Sequence, residues 1–140
     1  MKIAIINGPN LNLLGKREPT IYGNSDFESY FTQLQSDFPT VVFVYYQSIV
    51  EGELINSLHE VGFSYDGIIF NPGGYTHTSV AIGDAIAAIK TPVVEVHISN
   101  TAARESFRHI SHVSAKAVGT IIGLGLNGYK LALLHFLVSN

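Results

Sequence analysis

The 140-residue chain is 46% hydrophobic and 14% charged, with a formal net charge of -3 and no cysteine. The lack of cysteine excludes disulfides and thiolate chemistry. With no basic run and no aromatic-basic interleaving, a nucleic-acid partner is not expected. No apolar run approaches the length of a membrane span, and no signal-peptide pattern precedes the first strand, so a cytoplasmic protein with no membrane partner is expected.

The length predicts one domain, 1–140, able to bury a sizeable core. Globular domains carry about 25% charged residues. The deficit here suggests that part of the surface faces other subunits, so a homo-oligomer is expected. The first apolar run, Lys2–Ile6, reads as a buried strand. It opens onto Asn7-Gly8-Pro9-Asn10 and a long loop reaching Gly23, which holds Arg17 five residues before Tyr22. Structureless connections of that length are usually functional. A tyrosine of ordinary pKa, about 10, is ionised about once in a thousand at neutral pH, and a nearby guanidinium raises that fraction. The loop therefore reads as a lid carrying a tyrosine base, with Gly15 and Gly23 as hinges; alternatively, Tyr22 packs and Arg17 is solvated.

Apolar residues at Phe27, Tyr30, Phe31, Leu34 and Phe38 predict an amphipathic helix, opened by a capping box at Ser25-Asp26-Phe27-Glu28. Val41–Tyr46 is the second strand, Glu51–Val61 a helix stopped by Gly62, and Gly67–Phe70 the third strand. Asn71-Pro72-Gly73-Gly74 follows, leading through His77 to an alanine-rich helix over Ser79–Ile89. Val93–Val96 is the fourth strand, 99–117 is irregular, and Val118–Ile122 is the fifth strand. The last helix, Asn127–Val138, is apolar nearly all round and is expected to be buried on more than one side. Strand–helix alternation with right-handed crossovers predicts an α/β fold: a flavodoxin-like three-layer sandwich around a five-stranded parallel sheet of order 2-1-3-4-5.

Ligands of such sheets bind beyond the carboxyl ends of the strands, where Asn10, Asn71, His77, His97 and Ser99 gather. The Asn71–Gly74 turn suits a close backbone approach to a ligand, or simply a tight turn with Thr78 or Ser79 capping the helix. Period-two alternation puts Glu95 and His97 on one side of their strand. That arrangement lets a carboxylate orient a histidine, or makes a satisfied buried pair. His109 and His112 with His77 and His97 suggest a metal, but nothing else in the sequence supports one. Gly123-Leu124-Gly125-Leu126-Asn127-Gly128 matches a dinucleotide fingerprint, yet no strand and no acidic residue follow it. Close helix–sheet packing is the reading of those glycines.

Gly8–Gly15, Arg17-Glu18-Pro19 to Tyr22-Gly23, Asn71–Ser79, Glu95–Asn100, and Phe107-Arg108-His109 to Gly125 together closely resemble the type II 3-dehydroquinate dehydratases, over essentially the whole chain. The resemblance implies a cofactor-free, metal-free lyase of the shikimate pathway, converting 3-dehydroquinate to 3-dehydroshikimate by anti elimination through an enolate. It implies Tyr22 as base activated by Arg17, Asn10 and a water as enolate donors, and His97 as general acid oriented by Glu95. Asn71, Ile98 and Ser99 would hold the substrate carboxylate, and His77 and Arg108 the ring hydroxyls. Asp84 would reach a neighbouring subunit's site, within a dodecamer built from trimers. Ile49 and Gly83 depart from the expected pattern. A change in packing or subunit contact is expected from each, with the chemistry intact. The fold by itself also permits a flavin or nucleotide carrier, which would purify with its ligand, or an oligomeric scaffold without activity.

Overall fold

Alternate residues of the buried strands face opposite layers, and the apolar pattern of the sequence places helices on both. The structure is a computed structural model and describes residues 1–16, 20 and 26–139. The predicted base Tyr22, its activator Arg17 and the hinge Gly23 lie outside the described residues. The strands are β1 Lys2–Asn7, β2 Val42–Gln47, β3 Gly67–Asn71, β4 Val93–His97 and β5 Gly119–Ile122. They form one parallel sheet of order β2-β1-β3-β4-β5. The α-helices between and after them are α1 Phe27–Asp37, α2 Glu51–Val61, α3 Val80–Ala88 and α4 Asn127–Ser139.

Ile3, Ile5, Ile69, Val94 and Val96 pack against Phe27 and Leu34 of α1 and Tyr129, Leu133 and Phe136 of α4. Ala4, Ile6, Ile68, Phe70 and Val93 face Leu54, Leu58 and Val61 of α2 and Ile82 and Ile86 of α3. This is the expected three-layer arrangement, with each buried large apolar side chain contributing about 1.5–3 kcal/mol. Gly128 fits the close-packing reading: a Cβ there would meet Val96 and Ile121 side-chain carbons at 3.0 and 3.4 Å.

One local expectation needs correction. The cap of α1 is Asp26, whose carboxylate accepts the Ser29 N–H at 2.7 Å. Its short side chain reaches the orphan amide one residue later than a box led by Ser25 would. Helix α4 packs against both the sheet and α1, the expected burial on more than one side, while Leu134 and Val138 are exposed, Val138 at 81%.

The same topology brings the strand exits to one rim. Asn7 and Asn71 are register partners at the ends of β1 and β3, and Phe70 pairs with Glu95 on β4. The first and third rim loops then interlock. Gly8 donates its N–H to the Asn71 carbonyl at 2.8 Å, and a Cβ at Gly8 would lie 2.5 Å from the Pro72 carbonyl oxygen. Only glycine fits that approach. The region 99–117, read as irregular, carries short 3-10 helices at Thr101–Ala103 and Ser106–His109.

Candidate active site

A cleft of about 170 Å³ opens at this rim. It gathers Asn10, Asn71, His77, His97, Ile98, Ser99 and Arg108, all singled out in the sequence, and adds Arg104. Glu95 lies just behind it, fully buried. Asp84 does not line this cleft: it sits exposed on α3. Ile49 is also outside, its side chain exposed and its carbonyl accepting the Tyr75 hydroxyl at 2.9 Å.

Strand period sets the pair at the centre. Glu95 and His97 share the α3 side of β4, and His97 Nε2 lies 2.5 Å from Glu95 Oε2. That contact leaves Nδ1 as the ring nitrogen available to a ligand. Glu95 Oε2 also accepts from the Thr76 hydroxyl at 2.5 Å, and Oε1 accepts from Ser114 at 2.5 Å. Longer contacts of 3.4 Å come from Ser111 to Oε2 and from Thr120 to Oε1. Burial pushes the Glu95 carboxyl upward. The hydrogen bond and charge of His97, with the hydroxyls of Ser114 and Thr76, outweigh that and hold it below the usual carboxylate value. The group is thus an anion with nearly every lone pair engaged.

His77 Nδ1 meets the Ile110 carbonyl at 2.8 Å, so that nitrogen carries the hydrogen and Nε2 is an acceptor. Its ring stacks beside His97 with centroids 6.4 Å apart. Burial lowers the His77 pKa against the opposing Ile110 bond, and the neighbouring His97 and Arg108 charges lower it further. A neutral His77 follows. Arg108 pairs with Glu105 and lies over the Phe107 ring. Arg104 Nη1 donates to Ser99 Oγ at 3.0 Å, which leaves the Ser99 hydrogen to donate onward.

A second polar network, not anticipated from the sequence, lies under the floor on the α4 side. The wholly buried Tyr129 donates to Asn7 Oδ1 at 2.7 Å and accepts from Asn71 Nδ2 at 3.0 Å. Asn71 Oδ1 accepts the Gly73 N–H at 3.1 Å. These bonds fix the Asn71 carboxamide and leave its second amide hydrogen for a ligand. The mixture of fixed N–H and O–H donors with two guanidinium groups suits a small polyhydroxylated anion. His77, His97, His109 and His112 do not converge as metal ligands. Among the described residues, no group of three or more His, Asp or Glu side chains is arranged to hold an ion.

Residues 1–137 match the family model described as "Dehydroquinase class II". The chain is 51% identical to a 3-dehydroquinate dehydratase of Anoxybacillus flavithermus, with 98% of this chain and 94% of that protein covered. It is 48% identical to a protein of Penicillium rubens named catabolic 3-dehydroquinase, over 98% of this chain and 90% of that one. The crystal structure of a type II dehydroquinase from Butyrivibrio crossotus superposes with a TM-score of 0.93 at 45% identity, covering 97% of each chain.

Proposed function

The chain belongs to the class II dehydroquinase family, and from that premise we propose that it is a single-domain lyase that removes water from 3-dehydroquinate to give 3-dehydroshikimate in the shikimate pathway. The observation that carries the mechanism is the 2.5 Å contact holding His97 at the cleft against a fully buried, ionised Glu95. A histidine so held has one nitrogen committed and the other facing substrate, as a general acid requires.

In the reaction, Tyr22 as tyrosinate takes the C2 proton, with Arg17 stabilising its negative charge. The electron pair moves onto the ketone oxygen, where Asn10 and a bound water donate to the enolate. The enolate then re-forms the ketone while the C1–O bond breaks, and His97 gives its proton to the departing hydroxyl, releasing water. The Asn71 amide and the Ser99 hydroxyl, with Ile98 alongside, receive the substrate carboxylate. Neutral His77 accepts from a ring hydroxyl, and Arg108 donates to its neighbour. No step calls for a cofactor or metal.

The assembly reading is a homo-oligomer, with trimers grouped as a dodecamer, in which Asp84 completes a neighbouring site. Exposed Val42, Phe63, Val80, Val118 and Val138 support burial between subunits. The exposure of Asp84 fits a role outside its own cleft. A cytoplasmic setting is part of this reading. Among the described residues, no helix is long and apolar enough to cross a membrane.

The test is an ultraviolet assay of the conjugated enone product with and without chelator, run on wild type and Tyr22→Phe. Chelator-resistant turnover that Tyr22→Phe abolishes, with substrate still bound, is expected. No enone from the wild type would remove the lyase assignment, and unimpaired Tyr22→Phe would remove the base. Sedimentation as a 15 kDa monomer would remove the assembly reading.

A further inference from the structure

The carboxylate of Glu95 lies between two spaces. On one side is His97 and the cleft. On the other, Thr76, Ser111 and Ser114 help to line a chamber of about 200 Å³ that adjoins the cleft and shares His77, His97 and Arg108 with it. The hydroxyl hydrogens in this cluster have one consistent direction. The backbone N–H groups of Val113 and Ser114 donate to Ser111 Oγ at 3.1 and 3.0 Å. Ser111 Oγ lies 2.7 Å from Thr76 Oγ1, whose own hydrogen goes to Glu95. An ionised carboxylate only accepts, so the Ser111 hydrogen goes either to Thr76 Oγ1 or, over 3.4 Å, to Glu95 Oε2, and in both cases the bonds run toward Glu95. Ser114 reaches the other carboxylate oxygen directly. The hydroxyl donors occupy the other edges of the carboxylate, so the place left for a proton on Glu95 is the Oε2 edge that faces His97 Nε2.

We propose that Thr76 and Ser114 are positioning residues for the acid step: their hydroxyls keep Glu95 ionised although its side chain is fully buried, and reserve its Oε2 edge for His97. The inference rests on the lyase reading only for its kinetic consequence. The charge state of Glu95 is a separate observable. The other titratable or charged groups around the chamber are His77, His97, Arg108 and His109. Thr120 approaches from β5, but at 3.4 Å it contributes less.

The test uses Thr76→Val, which keeps the shape and removes the hydroxyl, and Ser114→Ala, with Thr76→Ser and Ser114→Thr as the restoring pair. An infrared pH titration follows the protonated-carboxyl band that Glu95→Gln eliminates. A hydrogen bond to a charged group is worth enough to move the Glu95 midpoint up by about one pH unit in Thr76→Val and in Ser114→Ala. The kcat value should fall about tenfold, KM should stay within about twofold, and the acid limb of kcat should move to higher pH. The hydroxyl-restoring variants should return both readouts. An unmoved carboxyl band in the folded variants overturns the proposal. So does an equal loss in the restoring variants, which would report packing alone. If the wild type made no enone yet the band moved as expected, the lyase reading would fail and the cradle would stand.

Discussion

Two buried polar networks lie beneath the cleft, one on each face of the sheet, and they solve different problems. The Asn7–Tyr129–Asn71 network on the α4 side is neutral throughout. Every group in it both donates and accepts, so it can be sealed in the core with no charge to stabilise. The Glu95 network on the α3 side holds an anion, and a buried anion persists only where donors replace its water. It therefore draws hydroxyls from Thr76, Ser111, Ser114 and Thr120 and sits beside an open chamber. The neutral network fixes where a substrate-binding amide stands. The charged one fixes which proton the neighbouring histidine can deliver.

Substitution should separate the two. Glu95→Gln should cost the most. The carboxamide it introduces would turn hydrogens toward hydroxyls that are already donating, and His97 would lose its counter-ion. A fall in kcat of about 10²–10³-fold with a small change in KM is expected, near the usual scale for loss of general acid catalysis. Steady-state kinetics above and below neutral pH would check it; a preserved kcat would make Glu95 a structural acid only. Tyr129→Phe should behave differently. It strands the Asn7 and Asn71 amides in a dry core, at about 1–3 kcal/mol of stability. Chemical denaturation should register that loss while kcat stays within a few-fold and KM rises, because Asn71 holds substrate and transfers no proton.

Gly83→Ala should come next in size. A Cβ there would lie 2.3 Å from the His112 carbonyl oxygen. The helix propensity of alanine offers about 1 kcal/mol back, against an overpacking cost of about 1–3 kcal/mol. A net destabilisation of about 1 kcal/mol is expected from that difference. The displaced segment is the one that carries Ser111 and Ser114, so kcat should fall a few-fold, and less in Gly83→Ala than in Ser114→Ala. At Gly83, helix α3 thus sits directly against the His112 backbone, which leaves no room for a side chain there.

The two networks were unequally legible. Buried parallel strands read as continuous apolar runs, so the sheet, its order and the rim were all available from pattern and handedness. Period two alone placed Glu95 beside His97, and β4 keeps them there. The partners of Glu95 were not legible, because Thr76, Ser111, Ser114 and Thr120 come from three separate segments and are ordinary loop or strand hydroxyls until the chain closes. Tyr129 was hidden in a helix whose apolar character on every side drowned the one polar atom that mattered. The same uniformity predicted burial on more than one side, which the sheet and α1 supply, and gave no sign that Leu134 and Val138 stand exposed. The roles of Arg17 and Tyr22 rest on sequence, as both lie outside the described residues.

The smallest expected effect is the one that most cleanly divides the networks, because each should leave its mark at the opposite end of the pH scale. The folded-state Glu95 pKa lies below its ordinary value. Its contribution to stability is therefore complete above the unfolded carboxyl value and disappears as the pH falls through the folded one. Asp26 and Glu105 also titrate below the usual value, but they are common to wild type and Glu95→Gln. The difference between those two proteins should then shrink on acidification below about pH 4.5. Tyr129 is shifted the other way: burial drives its phenol far above the ordinary value. Its stabilising contribution is present below the unfolded phenol value, about 10, and declines as the pH rises past it, because only the unfolded chain can then ionise. Urea midpoints should show Tyr129→Phe running parallel to wild type in acid and converging with it in alkali, and Glu95→Gln doing the reverse. Matching slopes for both variants at both ends would mean that the two networks are electrostatically alike, and the division of labour between position and protonation would be lost.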